Sequence, residues 1–183
     1  MGHCVNIRVH DIKDKAITLA GEEQIVDYPT LLAMETSGEC RFVRPLDIHL
    51  SIAREYDHIR VSGNVATAVG MGCSRCLVET VHDVVSAFTI VYSKDAGLKQ
   101  DEEEVELAEE DLISVTYEGD EIDFTSEITE QVLLAIPLKP LCREDCRGLC
   151  GNCGTDLNVA ECGCDRQDVN LKFNALKNFK TEK

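Results

Sequence analysis

Hydrophobic and polar positions alternate most sharply between Leu46 and Ile52, where Leu46, Ile48, Leu50 and Ile52 are separated by Asp47, His49 and Ser51. A period of two places all four on one face of a half-buried strand. The run Glu55-Tyr-Asp-His58 is a turn candidate. Beyond it Ile59, Val61 and Val65–Val69 predict a second strand, broken by Ser62-Gly-Asn64. Thr80–Tyr92 is rich in β-branched residues and is expected to pair back on that strand. Upstream, CVNIRVHDI and AITLAGEEQIV make residues 2–27 read as extended. Residues 28–45 are ambiguous, since Leu31-Leu-Ala-Met34 suits a helical turn or a buried strand.

The stretch from Asp123 to Ile136 changes period. Ile128, Val132, Ala135 and Ile136 fall at i, i+4, i+7 and i+8, one apolar helical face that Leu133 and Leu134 widen. Asp123, Thr125 and Ser126 offer N-caps, Glu127 and Glu130 suit the positive end of the helix dipole, and Pro137 and Pro140 end the helix. The expected fold is α+β: a mainly antiparallel β-sheet with one packed helix and a Cys-rich C-terminal region that binds zinc.

The 183 residues are 44% hydrophobic, only 5% aromatic and free of tryptophan, so the core is aliphatic and metal reinforcement would suit it. Four parts are expected: a β-rich part at 1–93 carrying the first CxxC, an acidic connecting segment at 94–124, a helix plus Cys-rich region at 125–165, and a basic tail at 166–183. The formal net charge is −16. Nucleic-acid modules are usually basic, because neutralising phosphates supplies much of their affinity. Any RNA contact here must be local or made through a partner, and basic partners are electrostatically favoured. Residues 95–123 hold thirteen acidic residues against Lys99 alone. They read as a solvated acidic loop with a short helical or strand piece, or as an RNA mimic or docking surface for a basic ribosomal protein. Val105, Leu107, Leu112, Ile113, Val115 and Tyr117 are too apolar for a wholly disordered linker, so part of the segment should rejoin the core. In the tail, Phe173, Leu176 and Phe179 recur among lysines. That is the pattern of a frayed surface helix, or of a place where Lys172, Lys177 and Lys180 meet phosphate or a partner groove.

No apolar run approaches the roughly 20 residues that cross a bilayer. The start MGHCVNIRVHDIKD lacks an apolar leader core, and Asn6 stands where N-myristoylation wants Ser or Thr. The expected setting is a reducing cytoplasm, with no membrane and no small-molecule substrate.

The chemistry lies in the cysteines. Six of the ten fall between Cys142 and Cys164, and Cys73 and Cys76 add a further pair. Tetrahedral zinc takes four thiolates at about 2.3 Å, which a chain supplies most easily in pairs. Cys150-Gly-Asn-Cys153 brings two sulfurs together across a tight turn, with Gly154 placed for chain reversal. Cys162 and Cys164 point to one side of an extended chain, and Cys142 and Cys146 share a helical face. Cys73-Ser-Arg-Cys76 is a second x₂ pair, although Leu77 stands where such a turn prefers glycine. The favoured pairing sets Cys150, Cys153, Cys162 and Cys164 on one ion. Cys73, Cys76, Cys142 and Cys146 then hold the other, tying the middle of the chain to its end. Structural zinc can contribute on the order of 10–16 kcal/mol to folding.

Three other readings use the same residues. Disulfides suit an even count but belong to oxidising compartments. Cys146, Cys150 and Cys153 match the Cx₃Cx₂C cluster loop of radical S-adenosylmethionine enzymes, yet only 30 residues follow Cys153 and such a barrel needs roughly 200. A catalytic zinc would keep an open position and usually take His or a carboxylate. His3, His10, His49, His58 and His82 all precede the Cys-rich region, and eight cysteines fill two sites. Cys4 and Cys40 stand outside every grouping and read as buried small hydrophobes.

Together GCSRCL, ITEQVLLAIPLKPLC, CRGLCGNCGTDLN and the closing CGCD resemble the YceD family of large ribosomal RNA subunit accumulation proteins. Val61–Gly63 supplies its V-x-G strand and Glu130–Pro137 its E-x-x-L-L-x-x-P helix. The resemblance implies a role in accumulation of the large-subunit ribosomal RNA, and the expected function is a non-enzymatic assembly factor that binds a ribosomal protein, ribosomal RNA or a precursor particle. It also implies two separable metal sites, because some members lack the terminal CxxC…CxC group. The alternatives are a zinc-dependent or acidic-pair RNA-processing enzyme, and a thiol or metal sensor. Glu127 and Glu130 suit helix-start electrostatics better than catalysis.

Overall fold

The fold is that of a computed structural model, which describes residues 5–13, 15–94 and 114–164. Its order is β1 (Asn6–Arg8), β2 (Ile17–Glu23), α1 (Pro29–Ser37), β3 (Arg41–Phe42), β4 (Leu46–Glu55), β5 (His58–Gly72), β6 (Glu79–Lys94), β7 (Ser114–Tyr117), β8 (Glu121–Asp123) and α2 (Thr125–Ala135). The main sheet runs β2-β4-β5-β6-β7, with the short β3 also on β5. Every pairing is antiparallel except β6 with β7. The protein is α+β with a mostly antiparallel sheet, two helices and cysteine clusters toward its C-terminal end.

The alternation at Leu46–Ile52 sets the sheet's polarity. Leu46, Ile48, Leu50 and Ile52 are buried, and β5 presents Ile59, Val61, Val65 and Val69 to the same core. From α2 come Ile128 and Val132, and Tyr28 and Leu31 join at the start of α1. On the opposite face Val81 and Val85 of β6 stay exposed, although Ala68 of β5 is covered. Tyr56 and Asp57 close the β4–β5 hairpin, with Glu55 opposite His58 and Tyr56 at φ 54°.

The expected break at Ser62-Gly-Asn64 does not occur; β5 runs unbroken from His58 to Gly72. Gly63 lies between Leu50 and Phe88 on the flanking strands. A Cβ there would overlap the Phe88 ring and come 2.8 Å from Leu50 Cδ2. The glycine makes room for an aromatic ring and leaves the ladder intact. The ambiguous 28–45 stretch resolves its Leu31–Met34 portion as helix. Pro29 opens α1 at its first turn and Gly38, at φ 80°, caps it in the left-handed region. At the other helix, the Asp123 carboxylate accepts from the backbone N–H of Thr125 at 2.9 Å, and the chain leaves α2 at Ile136 before Pro137.

Part of the acidic stretch returns to the body. Val115 and Tyr117 lie in β7 and pack against the core, and β8 pairs with β1 through Ile7↔Ile122. Val105, Leu107, Leu112 and Ile113 lie outside the described residues, as do Cys4 and the whole 166–183 tail with Lys172, Lys177 and Lys180.

Candidate metal centre

The long β5–β6 hairpin ends in the first cysteine turn. Gly72 pairs with Glu79, and between them Cys73–Val78 make a knuckle closed by two backbone bonds. Cys73 N–H donates to Val78 O at 2.8 Å, and Leu77 N–H to Cys73 O at 2.9 Å. The same two bonds recur at the second pair: Cys150 N–H to Thr155 O and Gly154 N–H to Cys150 O, both 2.8 Å. In each turn the residue after the second cysteine is left-handed, Leu77 at φ 63° and Gly154 at φ 73°.

From these turns the sulfurs gather in two groups, Cys73, Cys76, Cys142 and Cys146 in one, and Cys150, Cys153, Cys162 and Cys164 in the other. Within each group all four sulfurs lie within 4.8 Å of one another. In the first, Cys73 and Cys146 are 3.8 Å apart and Cys76 and Cys142 3.6 Å apart. A tetrahedron with zinc–sulfur bonds of about 2.3 Å has edges of roughly 3.8 Å, so the spacing fits a four-sulfur centre.

The chain reaches the first centre twice. After α2, Pro140 accepts from Ser74 N–H at 2.8 Å, which sets Cys142 beside the knuckle. Cys146 follows on a tight turn, its N–H on Arg143 O at 3.1 Å. Arg75, between the two knuckle cysteines, stitches the halves together. Its guanidinium donates to the carbonyls of Glu144 at 3.2 Å and Cys146 at 2.8 Å, while its own carbonyl accepts from Leu149 N–H at 3.0 Å. Gly148 must pass close to that carbonyl: it sits at φ 72°, and a Cβ would lie 2.9 Å from Arg75 O.

Donors favour the charged thiolate at Cys73, Cys146 and Cys153, while Cys76, Cys142 and Cys164 are raised. The Cys73 thiol is brought down to about 6, first by the backbone N–H of Cys142 and then by that of Arg75 against the opposing effect of burial. Cys142 is pushed up to about 12 by burial and by neighbouring Cys146. Burial alone would raise Cys146 too, but the Asn158 amide and the Gly148 N–H outweigh it and lower the thiol. In the second group the Thr155 hydroxyl and N–H bring Cys153 to about 6, and proximity to Cys153 pushes Cys164 to about 12. Sulfurs that accept such donors hold thiolate charge, the form that ligates metal.

The two settings differ. Cys73, Cys76 and Cys146 are buried, whereas in the second group only Cys150 is, and Cys153 is exposed. Cys40 is buried away from both clusters, its thiol raised by burial and by Glu35 and Glu39. Arg75 and Asn158 escaped the sequence reading. A polar residue inside the first CxxC was a weak signal for Arg75; nothing in the sequence pointed to Asn158.

A family model described as "Large ribosomal RNA subunit accumulation protein YceD" matches residues 61–180, which include both clusters. The chain belongs to the YceD family. Among its relatives is a chloroplastic large ribosomal RNA subunit accumulation protein YCED homolog 1 of Arabidopsis thaliana. It is 27% identical over 158 residues, covering 75% of this chain and 49% of the relative. The maize protein of the same description is 24% identical over 147 residues, 68% of this chain and 50% of its own. An uncharacterized protein of Mycobacterium tuberculosis is 32% identical over 131 residues, 72% of this chain and 60% of its own. The chain thus spans about half the length of the plant relatives it matches. No solved structure gives a significant match.

Proposed function

We propose that this YceD protein is a non-enzymatic factor that promotes accumulation of the large-subunit ribosomal RNA. It acts in a reducing cytoplasm by holding a basic ribosomal protein, ribosomal RNA or a precursor particle. The observation that carries this is the family match across both cysteine clusters, to a family described by that accumulation role. Two features support a binding body over a catalyst. Each cluster offers four sulfurs, a set that completes tetrahedral coordination as structural zinc sites do. A net charge of −16 favours basic partners over bare nucleic acid.

In this reading Cys73, Cys76, Cys142 and Cys146 hold one zinc ion and Cys150, Cys153, Cys162 and Cys164 the other. The metal supplies a cross-link. The chain's own part is to orient the sulfurs, through the two knuckle turns and Arg75. Lys172, Lys177 and Lys180 are the proposed exception to the acidic surface, a local phosphate contact.

Depleting the protein in its own cell should lower large-subunit ribosomal RNA relative to small-subunit RNA, and unchanged ratios would sink the proposal. With purified material, binding to a basic large-subunit ribosomal protein should weaken steeply with salt, and naked RNA should bind poorly. Tight, salt-resistant binding to RNA would overturn the preference for a protein partner.

A further inference from the structure

Cys146 and Cys150 belong to different clusters but stand four residues apart on one short segment. That segment is held from both sides. On the side of the first cluster, Leu149 N–H donates to Arg75 O. On the side of the second, Leu149 bridges Asp156, and Leu157 N–H donates to Gly148 O at 2.9 Å. Asp156, Leu157 and Asn158 lie in the loop between Cys153 and Cys162.

Asn158 carries the link furthest. Its side-chain Oδ1 accepts from Arg147 N–H at 2.8 Å and from Arg143 Nη2 at 2.9 Å. Its Nδ2 donates to Asp156 Oδ1 at 2.8 Å and to Cys146 Sγ at 3.4 Å. The amide is thereby fixed in orientation, and a residue of the second cluster's loop donates to a sulfur of the first. A donor on a ligating thiolate stabilises its charge and fixes the ligand's direction.

We propose that the two centres are coupled through Asn158, so that metal in the outer, more exposed cluster raises the affinity of the inner one. Closing the ring of Cys150, Cys153, Cys162 and Cys164 on an ion orders the intervening loop. The ordered loop presents the Asn158 amide to Cys146. By linkage the effect is reciprocal, and filling the inner centre tightens the outer one. Asn158 is a positioning residue in this scheme, since it acts through Cys146. The inference rests on both clusters holding metal, and its test separates the two ideas.

The experiment titrates the full-length protein, reduced and loaded with zinc, against a competing chelator, with metal per chain measured throughout. Cobalt substitution gives a parallel readout, because thiolate-to-cobalt absorption reports four-sulfur ligation, and Cys153→Ser, which spoils the outer set alone, assigns the inner centre's share. Two ions should be bound, with release from the inner centre roughly 5–150-fold easier once the outer one is empty. Asn158→Ala should weaken the inner centre by about 10–100-fold and abolish its dependence on the outer. Cys153→Ser should weaken the inner centre in the wild-type background and leave it unmoved in the Asn158→Ala background. A merely structural asparagine would lower both affinities without removing that dependence. Two ions released independently from the wild-type chain would overturn the coupling and leave the metal reading standing. Fewer than two ions bound would overturn the metal reading beneath it. The wild-type titration decides the matter even if a variant fails to fold.

Discussion

At both Cys73–Cys76 and Cys150–Cys153 the chain turns left-handed after the second cysteine and returns an N–H to the first cysteine's carbonyl. One of those positions is Leu77 and the other Gly154. A left-handed conformation costs a leucine roughly 1–2 kcal/mol and glycine almost nothing. Leu77 gains little in return by packing, since it is 71% exposed. The turn is therefore imposed by its two hydrogen bonds and by the convergence of the sulfurs, and residue type only modulates its cost. What differs is the setting. The first knuckle terminates the longest hairpin and is locked to Pro140, Glu144, Cys146 and Leu149. The second is built almost wholly from its own local loop. Identical local chemistry should thus be worth very different amounts of stability.

The largest effect expected is at the inner cluster. Cys73→Ser should remove the proposed zinc and with it the strongest tie between β5–β6 and the chain beyond α2. Structural zinc contributes on the order of 10–16 kcal/mol, as much as the whole of the roughly 5–15 kcal/mol that typically separates a folded domain from its unfolded chain. Circular dichroism should show the sheet lost or non-cooperative at room temperature. Cys153→Ser, by contrast, should leave the sheet folding cooperatively. If the two variants unfold alike, the contrast between the centres is false.

Gly148→Ala should come next. It adds a methyl group 2.9 Å from Arg75 O at a residue already at φ 72°. We expect about 2–3 kcal/mol of destabilisation in a urea titration, in the range of strained backbone positions. Gly154→Ala is the control, because its φ is 73° but nothing lies within 4 Å of the added Cβ. It should cost only about 1 kcal/mol. The smallest change is Leu77→Gly, expected to stabilise the protein by up to about 1 kcal/mol, the relief of left-handed strain being partly offset by chain entropy. A destabilised Leu77→Gly variant would mean that the leucine packs in a way its exposure conceals.

Much of the sheet was legible because its signals are local. Leu46–Ile52 alternates strictly, and Ile128–Ile136 repeats with helical period, so each announces the face it buries. Spacing also made the cysteine pairs conspicuous. What escaped depends on distant partners. Gly63 reads as a strand breaker until Phe88 is known to lie over it. The β1–β8 pairing joins three residues to three across more than a hundred positions, too few for any period to emerge. The two ends of α1 had their markers in Pro29 and Gly38, but no apolar stripe ran between them. The role proposed for Asn158 rests on a sulfur contact that no sequence pattern encodes.

The end of the β5–β6 ribbon carries one more consequence. β4 accompanies β5 only as far as Ala66, and past that point β3 and the adjoining Val43 support Ala68 to Gly70. The last rungs, up to Gly72 and Glu79, extend past both flanking strands, braced by Arg41 on Glu79, with the inner cysteine turn at their tip. Stripping the proposed metal would loosen that tip, so a zipper should open there and run toward Ala66. Amides near the tip would lose protection from deuterium well before those beside Ile59 and Tyr92.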